Sequence, residues 1–335
     1  MRYIMIFIAI IASSLVAFSL FGPKFPPIGP LTPVPIPADN PQTQAKIDFG
    51  KQLYFDPRLS GNNKISCATC HLPSLGFSNG QPFAKGGPDL TDEGGRNTPT
   101  VYNTAYNKFQ FWDGRAATLE EQALGPVQNP VEMHEDLNKL VAELSAIPEY
   151  VRQSKEIFGT EITSEVIAKA IAAFERTIIS TNCSFDKYMK GDKTAMSESA
   201  IRGMKLFNKK ARCIVCHNGP NFTDDKFHNL GLPSLDPNKP PDVGRYAVTK
   251  NEADMGAFKT PTLRSVVETA PYLRNGFMRT LMEVIEFYDQ GGGRDPNKDK
   301  EMKRLNLTQQ EKQDLEEFMK ALTGEPLNIT PPALP

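Results

Sequence analysis

Cys67-Ala68-Thr69-Cys70-His71, and again Cys213-Ile214-Val215-Cys216-His217, are the stretches whose reading decides this fold. Two thiols on one short turn can add across the two vinyl groups of a haem. The adjacent imidazole then binds the iron from one face. The two runs use all but one of the 5 cysteines and half of the 4 histidines. One such run could be an accident or a redox-active cysteine pair; a repeated one is an attachment site. Zinc would want the same residue types, but nothing nearby completes four ligands. The expectation is two covalently bound haem c groups, one held by Cys67, Cys70 and His71, the other by Cys213, Cys216 and His217. Cys183, left over, reads as a free, partly buried thiol.

Around the two runs the chain repeats itself. Each is preceded by a helix end of one kind, Gly50-x-x-Leu53-x-Phe55 and Gly203-x-x-Leu206-Phe207. Further on, Thr98-Pro99-Thr100 recurs as Thr260-Pro261-Thr262. At the same offset Asp113-Gly114 answers Asn275-Gly276, and the T-x-x-E box at Thr118–Glu121 answers Thr280–Glu283. The second copy has a shorter run-up to its cysteines and a longer Pro- and Gly-rich loop after them, 218–259, without helical period. A covalently held haem can serve as the core such a segment lacks.

Helical patterning dominates elsewhere. Residues 43–55 read as a helix stopped by Asp56-Pro57, and Gly125-Pro126 should stop the helix opened at Thr118. Leu137, Leu140, Val141 and Leu144 share a face, as do Ile167, Ala170, Ile171, Phe174 and Ile178. Thr308–Glu311 opens a last helix, with Leu315, Phe318, Met319 and Leu322 inward. The fold class expected is mostly α, with two cytochrome c-like haem domains in tandem, at 43–190 and 191–328, before a short tail, 329–335. Ahead of them, residues 1–21 are apolar after Arg2 and read as an export signal or an uncleaved N-terminal anchor. Residues 22–42 hold eight prolines and read as an extended linker without a core. The body of the protein is then exported, to the periplasm. A net charge of −1 over 335 residues gives no basic groove and no reason to expect nucleic acid.

Function turns on the sixth position of each iron. With both capped the chain is an electron carrier or redox sensor; with one open it can activate peroxide or oxygen. Here further motifs become specific: Gly95-Arg96-Asn97-Thr98-Pro99-Thr100, Phe111-Trp112-Asp113-Gly114-Arg115, Glu120-Glu121-Gln122-Ala123-Leu124-Gly125-Pro126, Asn129-Pro130-Val131-Glu132-Met133, Phe258-Lys259-Thr260-Pro261-Thr262-Leu263-Arg264 and Thr269-Ala270-Pro271-Tyr272. With both haem motifs in register, residues 43–325 resemble the bacterial diheme cytochrome c peroxidase and MauG superfamily.

The resemblance implies a peroxidatic N-terminal haem and an electron-transfer C-terminal haem. It matches Glu132 to the distal carboxylate, suited to moving a proton between the two oxygens of peroxide. It matches Gln122 to an amide of the same pocket and Trp112 to a relay between the haems. Asn97, with the carbonyls of Thr269 and Pro271, matches a calcium site. It implies hydrogen peroxide as substrate, a small donor protein (a cytochrome c or cupredoxin) as partner, and a homodimer as a family expectation.

Two departures matter. The loop from Gly80 to Gly95 lacks the histidine that caps the first iron in many members, leaving only His134 and His228 as rivals for that position. At the second haem the sixth ligand position is Tyr288, where the peroxidases have methionine and MauG has tyrosine. Core tyrosine, iron ligand, or displacement by Met278, Met282 or Met255 all stay open. Arg274 stands where the family has another histidine and is expected to meet a haem propionate. The leading expectation is peroxide reduction at the first haem. The alternative is a MauG-like oxidation of a protein or small substrate through high-valent haem.

Overall fold

The hydroxyl of Thr43 accepts from the Lys46 amide and opens the first long helix, α1 (Gln44–Phe55), which Asp56-Pro57 ends as expected. The computed structural model describes residues 25–234 and 240–335. The helices that follow are α2 (Cys67–Cys70), α3 (Leu119–Gln128), α4 (Leu137–Ser145), α5 (Pro148–Phe158), α6 (Ser164–Glu175), α7 (Ser184–Met189), α8 (Glu198–Asn208), α9 (Tyr246–Thr249), α10 (Leu281–Asp289) and α11 (Gln309–Lys320). Among the described residues, strands are confined to two antiparallel pairs. These are β1 (Lys85–Gly86) with β2 (Asp92–Glu93) and β3 (Phe227–His228) with β4 (Phe258–Lys259). The fold is mostly α, as the patterning implied.

The duplication is visible in how the helices cross. α1 packs on α6 and α8 on α11, the two most extensive pairings in the molecule. At each crossing a glycine lets the backbones meet. A Cβ on Gly50 would lie 1.8 Å from the Ala170 carbonyl oxygen, and one on Gly203 would lie 1.9 Å from that of Asp314. Two cores build outward from these crossings. The first gathers Phe49, Leu53, Tyr54, Phe77, Tyr150, Ile167, Ile171 and Phe174. The second gathers Phe185, Phe207, Phe222, Leu315, Phe318 and Leu322, with Phe207 edge-on to Phe318 at 5.3 Å. Each side chain so buried contributes about 1.5–3 kcal/mol.

The cores do not part at 190. Cys183 and Phe185 already belong to the second, while Leu327 and Ile329, near the C-terminus, pack against the first. Cys183 is buried rather than partly so. Arg264, 0% exposed, gathers the second half. It forms a bidentate pair with Asp186 on α7 (3.0 Å on both arms) and donates to the carbonyls of Pro220 and Gly29 (both 2.9 Å).

Three expectations need correction. The Pro-rich stretch is not a free spacer from residue 25 onward. Ile28, 7% exposed, enters the second core, the Tyr106 hydroxyl donates to the Thr32 carbonyl at 2.7 Å, and the Asn40 amide donates to Glu120 at 2.7 Å. Prolines hold such a segment extended, so its carbonyls find partners on the body and not within the segment. Gly125-Pro126 does not stop α3, which runs on to Gln128. Pro126 sits in the last turn, where its missing N–H forfeits a single backbone bond. The loop 218–259 does contain one helical turn, α9. The signal or anchor assigned to 1–21 lies outside the described residues. Among those, no helix is long and apolar enough to cross a membrane.

Candidate active site: two cavities with a common wall

The two Cys-x-x-Cys-His runs each form the floor of a cavity, of about 560 Å³ at the first and about 300 Å³ at the second. Ser66 opens α2 by a reciprocal box with Thr69, presenting Cys67 and Cys70 one turn apart. The second run is a tighter turn of three residues, Cys213–Val215. Both histidines are oriented alike. His71 Nδ1 lies 3.1 Å from the Phe77 carbonyl and His217 Nδ1 lies 3.0 Å from that of Phe222. A carbonyl only accepts, so Nδ1 carries the proton and the other ring nitrogen is the one available to a metal. Phe77 and Phe222 both adopt positive φ (55° and 53°), a conformation that side-chain-bearing residues rarely take. The carbonyls of Pro99 and Pro261 also act on these imidazoles, which is where the duplicated Thr-Pro-Thr acquires meaning.

Burial sets the protonation states. It lowers both histidines, keeping the imidazoles neutral, and raises the thiols, Cys70 to about 11 and Cys213 to about 12. Paired thiols with an adjacent neutral imidazole, lining a largely apolar cavity, fit a covalently attached haem in both places. Among the described residues neither run gathers its two thiols and imidazole as a metal site; Cys216 meets Asp224 and His228 instead, and three donors fall short of a closed zinc site.

The first cavity is the polar one. Glu132 and Gln122 line it, with Arg115, Phe111 and Trp112. Glu132 is held by backbone: its N–H donates to Asn129 (3.0 Å) and its carbonyl accepts from Gly87 (2.7 Å). Gly86 permits that approach, since a Cβ there would lie 2.4 Å from the Val131 carbonyl oxygen. Burial raises the Glu132 carboxyl above the ordinary range, against Arg115 and a hydrogen bond from Asn129. His134 is exposed and lines neither cavity, so it is no rival for the iron.

The second cavity is walled by Leu281, Val284, Ile285 and Tyr288 from one face of α10. The Tyr288 hydroxyl has no hydrogen-bond partner among the described residues, and the side chain lines the cavity. Burial raises its phenol well above the usual value, with the thiols of Cys216 and Cys213 adding to the effect. Met278, Met282 and Met255 do not line this cavity, whereas Met302 and Met319 do. His228 lies here too. Burial would lower it, but Asp224 (3.0 Å), Cys216 and Asp299 outweigh that and push it up to about 11. An imidazolium clamped by two carboxylates joins segments 224–228 and 299 and offers no lone pair to an iron. Arg274 is buried with its guanidinium on the Phe258 ring (4.5 Å), and it donates to the Leu232 carbonyl (3.4 Å). No carboxylate among the described residues pairs with it.

Between the cavities runs a wall that both share: Asn97, Pro99, Thr100, Gln110, Phe111 and Trp112. Asn97 donates its side-chain amide to the carbonyls of Gln81 (2.9 Å) and Pro82 (3.3 Å), leaving Oδ1 uncommitted. Thr269 and Pro271 line the second cavity, on its side of this wall.

Sequence reasoning missed Glu175 and Lys259. Lys259 is buried in the second cavity wall, where burial pulls its amine down to about 8 despite Asp225 and Asp224. Glu175 lines the first, and the signal for it was present: it falls on the Ile167–Ile171 stripe of α6, at the next helical repeat.

Residues 44–194 match the family model described as di-haem cytochrome c peroxidase. The chain is 43% identical to cytochrome-c peroxidase IdrP1 of Denitromonas iodatirespirans, covering 93% of this chain and 90% of that one. It is 40% identical to methylamine utilization protein MauG of Methylorubrum extorquens, covering 90% and 85%. A solved MauG-like protein associated with microbial copper homeostasis superposes with a TM-score of 0.79 at 31% identity, over 92% of this chain and 96% of that one.

Proposed function

The chain belongs to the di-haem cytochrome c peroxidase family, a peroxidase-type oxidoreductase with two c-type haems, and on that premise we propose that it reduces hydrogen peroxide in the cavity containing Glu132. Cys67, Cys70 and His71 would hold one haem and Cys213, Cys216 and His217 the other. When bound, the haems supply an iron at which the O–O bond is cleaved and a store of electrons for that cleavage. The residues around them do the rest. Glu132, lifted above the usual carboxylate range by burial, takes a proton from one peroxide oxygen and returns it to the leaving one. Gln122 orients the substrate beside it. Trp112, in the wall common to both cavities, is the residue through which electrons pass. Arg274, a buried cation with no carboxylate ion pair among the described residues, would meet a haem propionate. The observation that carries the reading is that Glu132 and Gln122 line the cavity of the Cys67–His71 run, whereas one face of α10 brings Tyr288 with Leu281, Val284 and Ile285 to the other.

Two electrons and two protons convert one peroxide to two waters, so a one-electron donor protein must dock twice per turnover. A reduced small cytochrome or cupredoxin is the class expected, in the periplasm if residues 1–21 direct export. Steady-state oxidation of such a donor by peroxide tests the proposal. Turnover supports it, and a loaded protein that oxidises none of them contradicts it.

A second reading has its own observation. Tyr288 lines the second cavity without a hydrogen-bond partner among the described residues, so its oxygen is available to the second haem; such a ligand would lower its potential and suit a MauG-like oxidation. Tyr288→Phe should then change the low-spin spectrum of that haem; an unchanged spectrum removes Tyr288 as ligand. Calcium at Asn97 Oδ1 with the carbonyls of Thr269 and Pro271 would be a site of hard oxygen donors completed by water. Chelation that leaves spectrum and stability unmoved would discard it.

A further inference from the structure

Glu175, at the C-terminal end of α6, is 6% exposed and lines the first cavity. Its Oε2 has no hydrogen-bond partner among the described residues. Burial outweighs the one cation that acts on it, Arg176, and Glu120 adds to the effect of burial. From α1 comes the Tyr54 ring, from α2 the thiol of Cys67, and from α3 the carboxylate of Glu120. Arg176, next in the chain, is held by Glu120 at 2.8 Å, and Arg115 across the cavity is held by Asp113 at 3.0 Å. A buried carboxylate without a partner is costly, so the charge it can answer to is the one placed in the cavity itself.

We propose that Glu175 is the redox-linked proton site of the first haem. It takes one proton from solvent when that haem gains one electron, and releases it when the electron leaves. This rests on the assignment of that haem to Cys67, Cys70 and His71. Reduction removes one positive charge from the cavity, which makes the carboxylate less stable and the carboxylic acid more so. A group already lifted to about 8 by burial is poised for that exchange near neutral pH. The proton lands on a carboxylate oxygen, the electron comes from a one-electron donor protein, and charge in the cavity is conserved.

The test is the potential of the first haem in the holoprotein as a function of pH, followed by that haem's own spectroscopic signal. The potential should fall as pH rises on either side of about 8, tenfold in the redox equilibrium per pH unit, and flatten at both extremes. Glu175→Gln should abolish the slope with both haems still attached by intact mass, while Glu132→Gln should keep it. A Glu175→Gln protein with the wild-type slope, or a flat wild-type profile, overturns the proposal. In the wild type, reduced-minus-oxidised infrared spectra should show a new protonated-carboxyl band, which decides the matter if the variant fails to fold. Its absence also overturns the proposal. A mass lacking haem at Cys67 and Cys70 removes the haem assignment and this proposal together. A loaded protein with no slope removes only this one.

Discussion

The indole N–H of Trp112 donates to the backbone carbonyl of Asn97 at 2.8 Å, and these two residues line both cavities. The Asn97 N–H in turn donates to the Arg274 carbonyl (2.7 Å), and the Trp112 carbonyl accepts from Lys259 (2.8 Å). The partition is therefore stitched across the two halves of the duplication. The indole ring is fixed in a wall that touches both sites.

Trp112→Phe keeps a ring in the wall and removes the bond to Asn97, at a cost of about 1 kcal/mol. Peroxide should still oxidise the first haem in a single turnover, whereas steady-state consumption of reduced donor should fall. Stopped-flow spectra separate the two. Equal loss in both phases would make Trp112 a packing residue only.

Glu132→Gln preserves size and removes the proton acceptor. Peroxide turnover should drop by about 10²–10⁴ with haem content unchanged. In the wild type the working form is the carboxylate, so activity is lost as pH falls through its pKa. Burial raises that pKa, so the acid limb of kcat/KM should lie above the pH of an ordinary glutamate. A limb at or below it would mean that another group titrates.

Gly203→Ala drives a methyl toward the Asp314 carbonyl, and Gly50→Ala does the same toward Ala170. Each should destabilise by about 1–3 kcal/mol through overpacking, read as a lower midpoint in thermal unfolding. Because the crossings belong to separate cores, the double variant should lose the sum of the two.

Much of this was legible from residue types alone. The haem motifs, the duplicated Thr-Pro-Thr and the Gly50/Gly203 correspondence are local or periodic signals, and the structure places each at the same point of its half. What was hidden depends on contacts distant in sequence. The Pro-rich stretch looked like a spacer because its partners, Arg264, Tyr106 and Glu120, lie far along the chain. His228 looked like a rival ligand until Asp224 and Asp299 closed on it. Pro126 looked like a stop because a proline in the last turn of a helix and one just beyond it read alike. Glu175 was readable as an acid on an apolar stripe, but only the cavity gives that position a consequence.

The account depends on one iron position left open beside Glu132 while the other is filled. The electron paramagnetic resonance spectrum of the resting ferric holoprotein tests this most directly. A high-spin signal from the haem at His71 together with a low-spin signal from the haem at His217 is the predicted result. Two low-spin signals and no high-spin component would contradict it and leave an electron carrier.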